Sequence, residues 1–200
     1  MADAGRGVGT DMGEWDAVVL AGGRGSRMGG VDKASIELDG ETLLARTLRA
    51  VSGAARVVVV GDVEAPGHTV VQEAPRFSGP ASAIGAGVAE VHASHVLLTA
   101  CDQPFLADAL DLLLDACAGG TGDGAIAVDG DRRRQHLMSV VRTEALRDSI
   151  RSHPTLVDLS VRALLAPLDL VEVVVPARAA LDIDTWHDQQ RALAEGHDRG

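Results

Sequence analysis

Four consecutive valines, Val57, Val58, Val59 and Val60, follow Arg56. A β-branched run with no polar alternation is how a strand reads when both of its faces are buried. Sheets buried on both faces are mainly parallel, with helices crossing over them. Other short apolar runs fit the same frame: residues 17–20, 69–71, 96–99, 125–128, 137–141 and 170–175. Helical segments fall between them. Residues 42–51 place Leu43, Leu44, Leu48 and Val51 on one face, and residues 106–118 turn Leu110, Leu113 and Leu114 inward. Residues 82–91 form an alanine-rich helix. Residues 143–150, with Thr143 as N-cap, and 157–165 form shorter ones, and residues 184–195 close the chain as a helix. Alternating strands and helices predict an α/β layered fold with a mainly parallel sheet and helices on both faces.

Residues 18–36 read VVLAGGRGSRMGGVDKASI. An apolar strand ends in Gly22-Gly23 and passes into a loop that carries Arg24, Arg27 and Lys33 among Gly25, Gly29 and Gly30. Glycine has no Cβ, so backbone amides can close on an anion. Successive N–H groups then form an anion-binding concavity, and each cation can reach a different phosphate oxygen. The loop therefore predicts a nucleoside triphosphate site. It is not a P-loop, because Val31 stands where Lys must follow Gly30. It is not the dinucleotide fingerprint, because Met28 occupies the third glycine position after Gly23 and Gly25. The kinase glycine loop fails at the same place, and no H-R-D or D-F-G follows.

The pattern that fits is L-A-G-G-x-x-x-R-M-G-G-x-D-K, matched by Leu20, Ala21, Gly22, Gly23, Arg27, Met28, Gly29, Gly30, Asp32 and Lys33. It resembles the nucleotidyltransferases with a single Rossmann-like domain, and within them the molybdenum cofactor guanylyltransferases, which join GTP to molybdopterin. The resemblance implies that Leu20, Ala21, Gly22 and Gly23 bind the nucleotide, with the backbone amides of Ala21 to Gly25 expected to cradle its phosphates. Arg27 and Lys33 then hold the triphosphate and its developing charge.

Two further constellations fit that frame. Cys101-Asp102-Gln103-Pro104-Phe105 follows a buried strand, and a carboxylate at a strand's carboxyl end is well placed for Mg²⁺, which takes one or two carboxylates plus phosphate oxygens and water. The family motif is C-D-x-P-F, so the resemblance makes Asp102 the metal ligand; on spacing alone Asp102 serves equally well as a helix cap. Leu181-Asp182-Ile183-Asp184-Thr185 resembles the family's late D-I-D-T segment. Asp184 is the candidate second ligand or else the cap of the last helix, and Asp182 is expected to point the opposite way. Trp186-His187 replaces the Pro-Glu of many relatives.

Gln72-Glu73 precedes Gly79-Pro80 by the interval at which the family places an acid that contacts guanine. Here position 72 is Gln, and Glu73 is either the base-contacting residue or a carboxylate on a solvated turn. Gly79 belongs to a segment that lies near base and ribose in the family. Arg132, Arg133 and Arg134 are either a solvated hairpin tip or a grip on the second substrate's phosphate. Gln135 and Leu137 match a family Gln-Pro-Leu segment, with His136 in place of the proline. Arg162, in Ser160-Val161-Arg162, is similar to a pterin-side position or is a surface arginine. His92 and His95, on an exposed helix end, carry no role.

Composition removes other classes. The net charge of −11, with two Phe, two Trp and no Tyr, argues against nucleic-acid binding. Cys101 and Cys117 show no metal spacing. Residues 1–14 read as a disordered tail rather than a signal peptide, and residues 15–200 as one domain in a cytoplasmic protein without membrane contact. A monomer or weak homo-oligomer is expected. The expected activity is Mg²⁺-dependent transfer of GMP from GTP to the phosphate of molybdopterin, with pyrophosphate released. The alternatives are another nucleotide or phosphorylated acceptor (CTP with molybdopterin, phospholactate, a sugar phosphate), or a non-catalytic nucleotide-binding subunit.

Overall fold

The valine run alternates between two cores. In strand β4 (Arg56–Val60), Val57 and Val59 enter one buried cluster while Val58 and Val60 enter the other. Strand β1 (Trp15–Leu20) does the same, with Ala17 and Val19 on the first side and Val18 and Leu20 on the second. Successive side chains of a strand point to opposite faces, so an all-apolar strand needs cover above and below. The computed structural model describes residues 13–22 and 33–197. Gly23, Arg24, Gly25, Arg27, Met28, Gly29, Gly30 and Asp32, and residues 1–12, lie outside that range.

The remaining strands are β2 (Glu37–Leu38), β3 (Glu41–Thr42), β5 (Thr69–Val71), β6 (His95–Ala100), β7 (Gly124–Val128), β8 (Arg134–Arg142) and β9 (Leu170–Val174). The helices are α1 (Leu43–Ala50), α2 (Pro80–Val88), α3 (Ala107–Gly119), α4 (Thr143–Ser152), α5 (Val161–Leu165) and α6 (Trp186–His197). The main sheet runs β5-β4-β1-β6-β8-β7-β9. Every pairing is parallel except those of β8, which runs against both β6 and β7. The fold is therefore the expected α/β sheet, mainly parallel. Residues of α1 and α3 fill the first core and residues of α2, α4 and α5 the second. A third cluster joins Ile36, Leu38, Leu43 and Phe105 to Ile183 and Ala192 near the end of the chain.

Strand order reverses at β1, which has β4 on one side and β6 on the other. In open α/β sheets the crevice at such a point, beyond the carboxyl ends of the strands, receives ligands. The ladder runs one step past the strand ends there. Ala21 N donates to Val60 O (2.9 Å) and Cys101 N to Leu20 O (2.9 Å).

Several boundaries differ from expectation, each for a local reason. Helix α2 starts at Pro80, because Gly79 at φ 96 turns the chain and a proline at the first helical position needs no N–H partner. Thr143 is not a side-chain cap of α4: its hydroxyl donates to Ala93 O, tying the helix start to the β6 approach. Only residues 161–165 of the segment 157–165 are helical, and Ser160 supplies the cap by accepting from Ala163 N. His95 opens β6 rather than ending a helix. The last helix begins at Trp186, with Thr185 accepting the N–H of Asp188. The short β2–β3 hairpin is an addition.

Candidate active site

A cavity of about 570 Å³ opens at the reversal point. Its walls include the ends of β1, β4 and β6, at Leu20, Ala21 and Gly22, Val60, and Ala100 to Asp102. Opposite them stand Glu73, Phe77, Gly79 and the first turn of α2. The N-terminus of a helix carries unpaired N–H groups and partial positive charge, which suits an anion. Of the residues expected to bind nucleotide, the cavity gathers Leu20, Ala21, Gly22, Lys33, Glu73, Gly79 and Asp102. Gly23 and Arg27 fall outside the described residues.

Lys33 lies in a single 3₁₀ turn, Lys33–Ser35, after the glycine loop. Its Nζ donates to Asp102 Oδ2 at 2.9 Å and to Asp184 Oδ1 at 2.5 Å. These partners are 69 and 151 residues away in sequence. Partial burial alone would lower the Lys33 ammonium, but Asp102 and then Asp184 outweigh it and hold it above its usual value. The lysine stays charged through the physiological range. Two carboxylates from distant segments therefore meet at one cationic point on the cavity wall.

The convergence is built by backbone and packing. Ile183 N donates to Asp102 O at 3.0 Å, and the Ile183 side chain is fully buried in the third cluster. This anchors the late segment against the β6 loop. The cap of the last helix comes from Thr185, whose Oγ1 takes the Asp188 N–H and also donates to Asp188 Oδ2 at 2.7 Å, while the Asp184 carboxylate accepts from Lys33. Among the described residues Asp102 likewise caps no helix. The N-cap position of α3 is Leu106, without a side-chain bond, and the Asp102 carboxylate goes to Lys33.

Asp182 corrects the expectation that it points the opposite way. Residues two apart in an extended segment share a face, and Ile183 takes the other. The protein around the Asp182 carboxyl, and then the negative charge of Asp102, push it up to about 6, although the residue is exposed overall. Gln103 and Lys33 pull it the other way.

Glu73 is half-buried on the cavity wall, with one oxygen accepting the Phe77 N–H at 2.8 Å. Gln72 turns outward, and its amide oxygen takes two bonds from Arg76. Phe77 is a wall residue the sequence reading missed. It is 61% exposed and sits at φ 61, a left-handed backbone that a phenylalanine rarely adopts. One of only two phenylalanines, placed in a polar loop two residues before Gly79, was the available signal. Leu137 was also missed as a wall residue, and its position depends on an irregularity in β8. Ile126 pairs with Ser139 but Ala127 with Gln135, so His136, Leu137 and Met138 bulge without partners on β7. Bulges re-aim side chains; this one sends Met138 into the first core and Leu137 to the cavity. Arg132 and Arg134 are both held by Glu172 of β9, at 2.7 and 2.9 Å, so the arginine run is a braced hairpin and not a loose tip.

A strand-end crevice with a glycine wall, a helix N-terminus and a lysine between two aspartates is built for phosphoryl groups of a nucleotide, and the class of protein it defines is the nucleotidyltransferases. The chain belongs to the MobA-like NTP transferase domain family, whose model matches residues 17–183. It is 30% identical over 143 residues to a molybdenum cofactor guanylyltransferase of a Shewanella species (strain MR-4), covering 68% of this chain and 72% of that one. Among solved structures it is similar to molybdopterin-guanine dinucleotide biosynthesis protein A from Archaeoglobus fulgidus, with a TM-score of 0.70 at 19% identity over 90% of this chain and 98% of the other. It is also similar to 2-C-methyl-D-erythritol 4-phosphate cytidylyltransferase from Thermus thermophilus, with a TM-score of 0.65 at 20% identity over 91% and 98%. Those two likenesses concern the fold. No helix among the described residues is long and apolar enough to cross a membrane.

Proposed function

We propose that this nucleotidyltransferase moves GMP from GTP to the phosphate of molybdopterin and releases pyrophosphate. The observation that carries the reading is the meeting of Asp102 and Asp184 on Lys33 Nζ at the rim of a nucleotide-sized cavity. The names of the curated relatives support the acceptor. The acceptor's phosphate monoester has a second pKa of about 6, so it is largely ionised near neutrality and needs no general base. Rate acceleration then rests on positioning and charge neutralisation. Backbone groups at Ala21 and Gly22, with Gly23 beyond them, bind the phosphates. Lys33 and Arg27 balance the charge that grows on the leaving pyrophosphate.

The residues fit a divalent ion. Mg²⁺ asks for one or two carboxylates and leaves its other positions to phosphate oxygens and water, and Asp102 and Asp184 already converge on one cation. When bound, Mg²⁺ would supply charge neutralisation at the phosphates. Asp102→Asn should lower activity by roughly a hundredfold or more, the scale of losing one electrostatic stabiliser, and should shift the Mg²⁺ titration to higher concentration. An unchanged titration would remove Asp102 from the metal site.

A second reading, transfer from CTP, rests on position 72. Its side chain is a glutamine already engaged by Arg76, and Glu73 has one oxygen committed to Phe77. Binding of GTP, CTP, ATP and UTP with Mg²⁺ separates the two. Guanine selection through the free oxygen of Glu73 predicts a preference for GTP of about tenfold or more, reduced in Glu73→Gln. A clear preference for CTP would replace the guanylyl reading.

A further inference from the structure

Phe77 is a costly residue where it stands. The chain has two Phe, two Trp and no Tyr. Trp15 and Phe105 are buried, and Trp186 opens the last helix. Phe77 stands 61% exposed on the cavity wall, and among the described residues it is the one Phe or Trp that lines the cavity. Its backbone is left-handed, where Gly or Asn is the usual occupant. Folding gains little from so exposed a ring and loses stability by holding its backbone there.

The loop around it is fastened on both sides. Arg76 donates to Gln72 Oε1 at 2.8 Å and pairs with Asp62 at 3.2 Å. Ser78 is buried; its hydroxyl donates to Pro75 O at 2.6 Å, and its carbonyl accepts the Asp158 N–H at 2.8 Å. The Phe77 N–H is itself held by Glu73. Residues 76, 77 and 78 are thus each tied down. A sparsely populated backbone conformation persists only where its surroundings over-determine it, and such outliers gather at ligand sites.

The chemistry of the cavity identifies what the ring meets. Lys33 and Asp102 make part of the wall charged, while Phe77, Pro80, Ala83 and Leu137 add apolar surface. A nucleotide matches both, with charge at its phosphates and a flat π-face at its base. Stacking on an aromatic side chain tolerates any base, because every base has a π-face. We propose that the Phe77 ring is the stacking face for the nucleobase, supplying affinity for the base without choosing which base, and that the choice is left to Glu73. The proposal rests on the nucleotide reading of the cavity but not on guanine.

Calorimetric titration of the full-length protein tests this, with Mg²⁺ present and no acceptor. The ligands are GTP, CTP and inorganic tripolyphosphate, which has the charge and no base. Phe77→Gly removes the ring, keeps the N–H that holds Glu73, and suits a positive φ. It should weaken GTP and CTP alike by about tenfold, keep their ratio within about twofold, and leave tripolyphosphate at its wild-type affinity. Phe77→Trp should bind as the wild type does. The melting point of Phe77→Gly should match or exceed that of the wild type, and Phe77→Asn, also at ease in this backbone, repeats the measurement. Unchanged nucleotide affinity in Phe77→Gly overturns the proposal. So does a tripolyphosphate loss equal to the GTP loss, or a loss confined to GTP, which would tie the ring to guanine alone. A wild type that binds CTP far better than GTP removes the guanylyl reading, while the comparison of nucleotide with tripolyphosphate still decides Phe77.

Discussion

Lys33→Ala should reduce pyrophosphate release by about 10²–10³-fold, the range seen when one preorganised stabiliser of developing charge is removed. The fold should survive. Lys33 sits in a short turn with its side chain 23% exposed, and its only buried turn neighbour is Ala34. The two ion pairs are part-exposed, and pairs of that kind contribute about 1 kcal/mol or less. The melting temperature should therefore stay within a few degrees of the wild type. Activity at the wild-type level in a folded Lys33→Ala protein would sink the role. Lys33→Arg is informative beside it, because a planar guanidinium cannot replace a compact ammonium between Asp102 and Asp184 without rearranging both.

Gly61→Ala should produce the largest stability change of any single methyl addition near the site. Gly61 follows β4 at φ 157, and a Cβ there would stand 2.8 Å from Ala21 C, 2.9 Å from Ala21 O and 2.9 Å from Gly22 N. Those atoms are backbone and cannot swing aside. Overpacking of this kind costs about 2–3 kcal/mol, which for a chain of this length lowers the melting point by roughly 5–10 °C. The displaced atoms open the phosphate wall, so nucleotide affinity should fall as well. Gly130→Ala is the control: a Cβ there meets nothing within 4 Å, and its melting point should match the wild type. A Gly61→Ala protein that melts with the wild type would show that the strand ends can separate without loss.

The sheet was legible because its strands are buried on both faces. Val57 to Val60, and the apolar core of β1, cannot be read as anything half-exposed, and their ends located the cavity before any contact was known. Asp102 was legible for the same reason, standing just beyond the end of β6. Helix starts were less so. The start of α2 depends on the positive φ of Gly79, while Thr143 and Asp184 had cap chemistry but spend their side chains elsewhere. Asp182 and Asp184 are in phase along an extended segment, so periodicity places both on the face opposite Ile183. The bulge at His136 to Met138 could not be seen in sequence, because it exists only as a mismatch of register with β7. Phe77 was hidden by its own backbone, since a left-handed phenylalanine contradicts its local preference.

Because β8 runs against its neighbours, the turn that precedes it lies on the same rim as the ends of β1 and β6. The backbone of that turn closes on itself, while Arg132 and Arg134 tie its side chains to Glu172 of β9. The Asp129 side chain accepts the N–H groups of Asp131 and Arg133, and the methyl position at Gly130 is open. A self-closed turn at a rim tolerates changes of length and composition that a strand end does not. The part of the rim where Gly61 lies against Ala21 has no such freedom. The antiparallel strand therefore sets beside each other, on one rim, a turn that accommodates substitution and a backbone contact that does not.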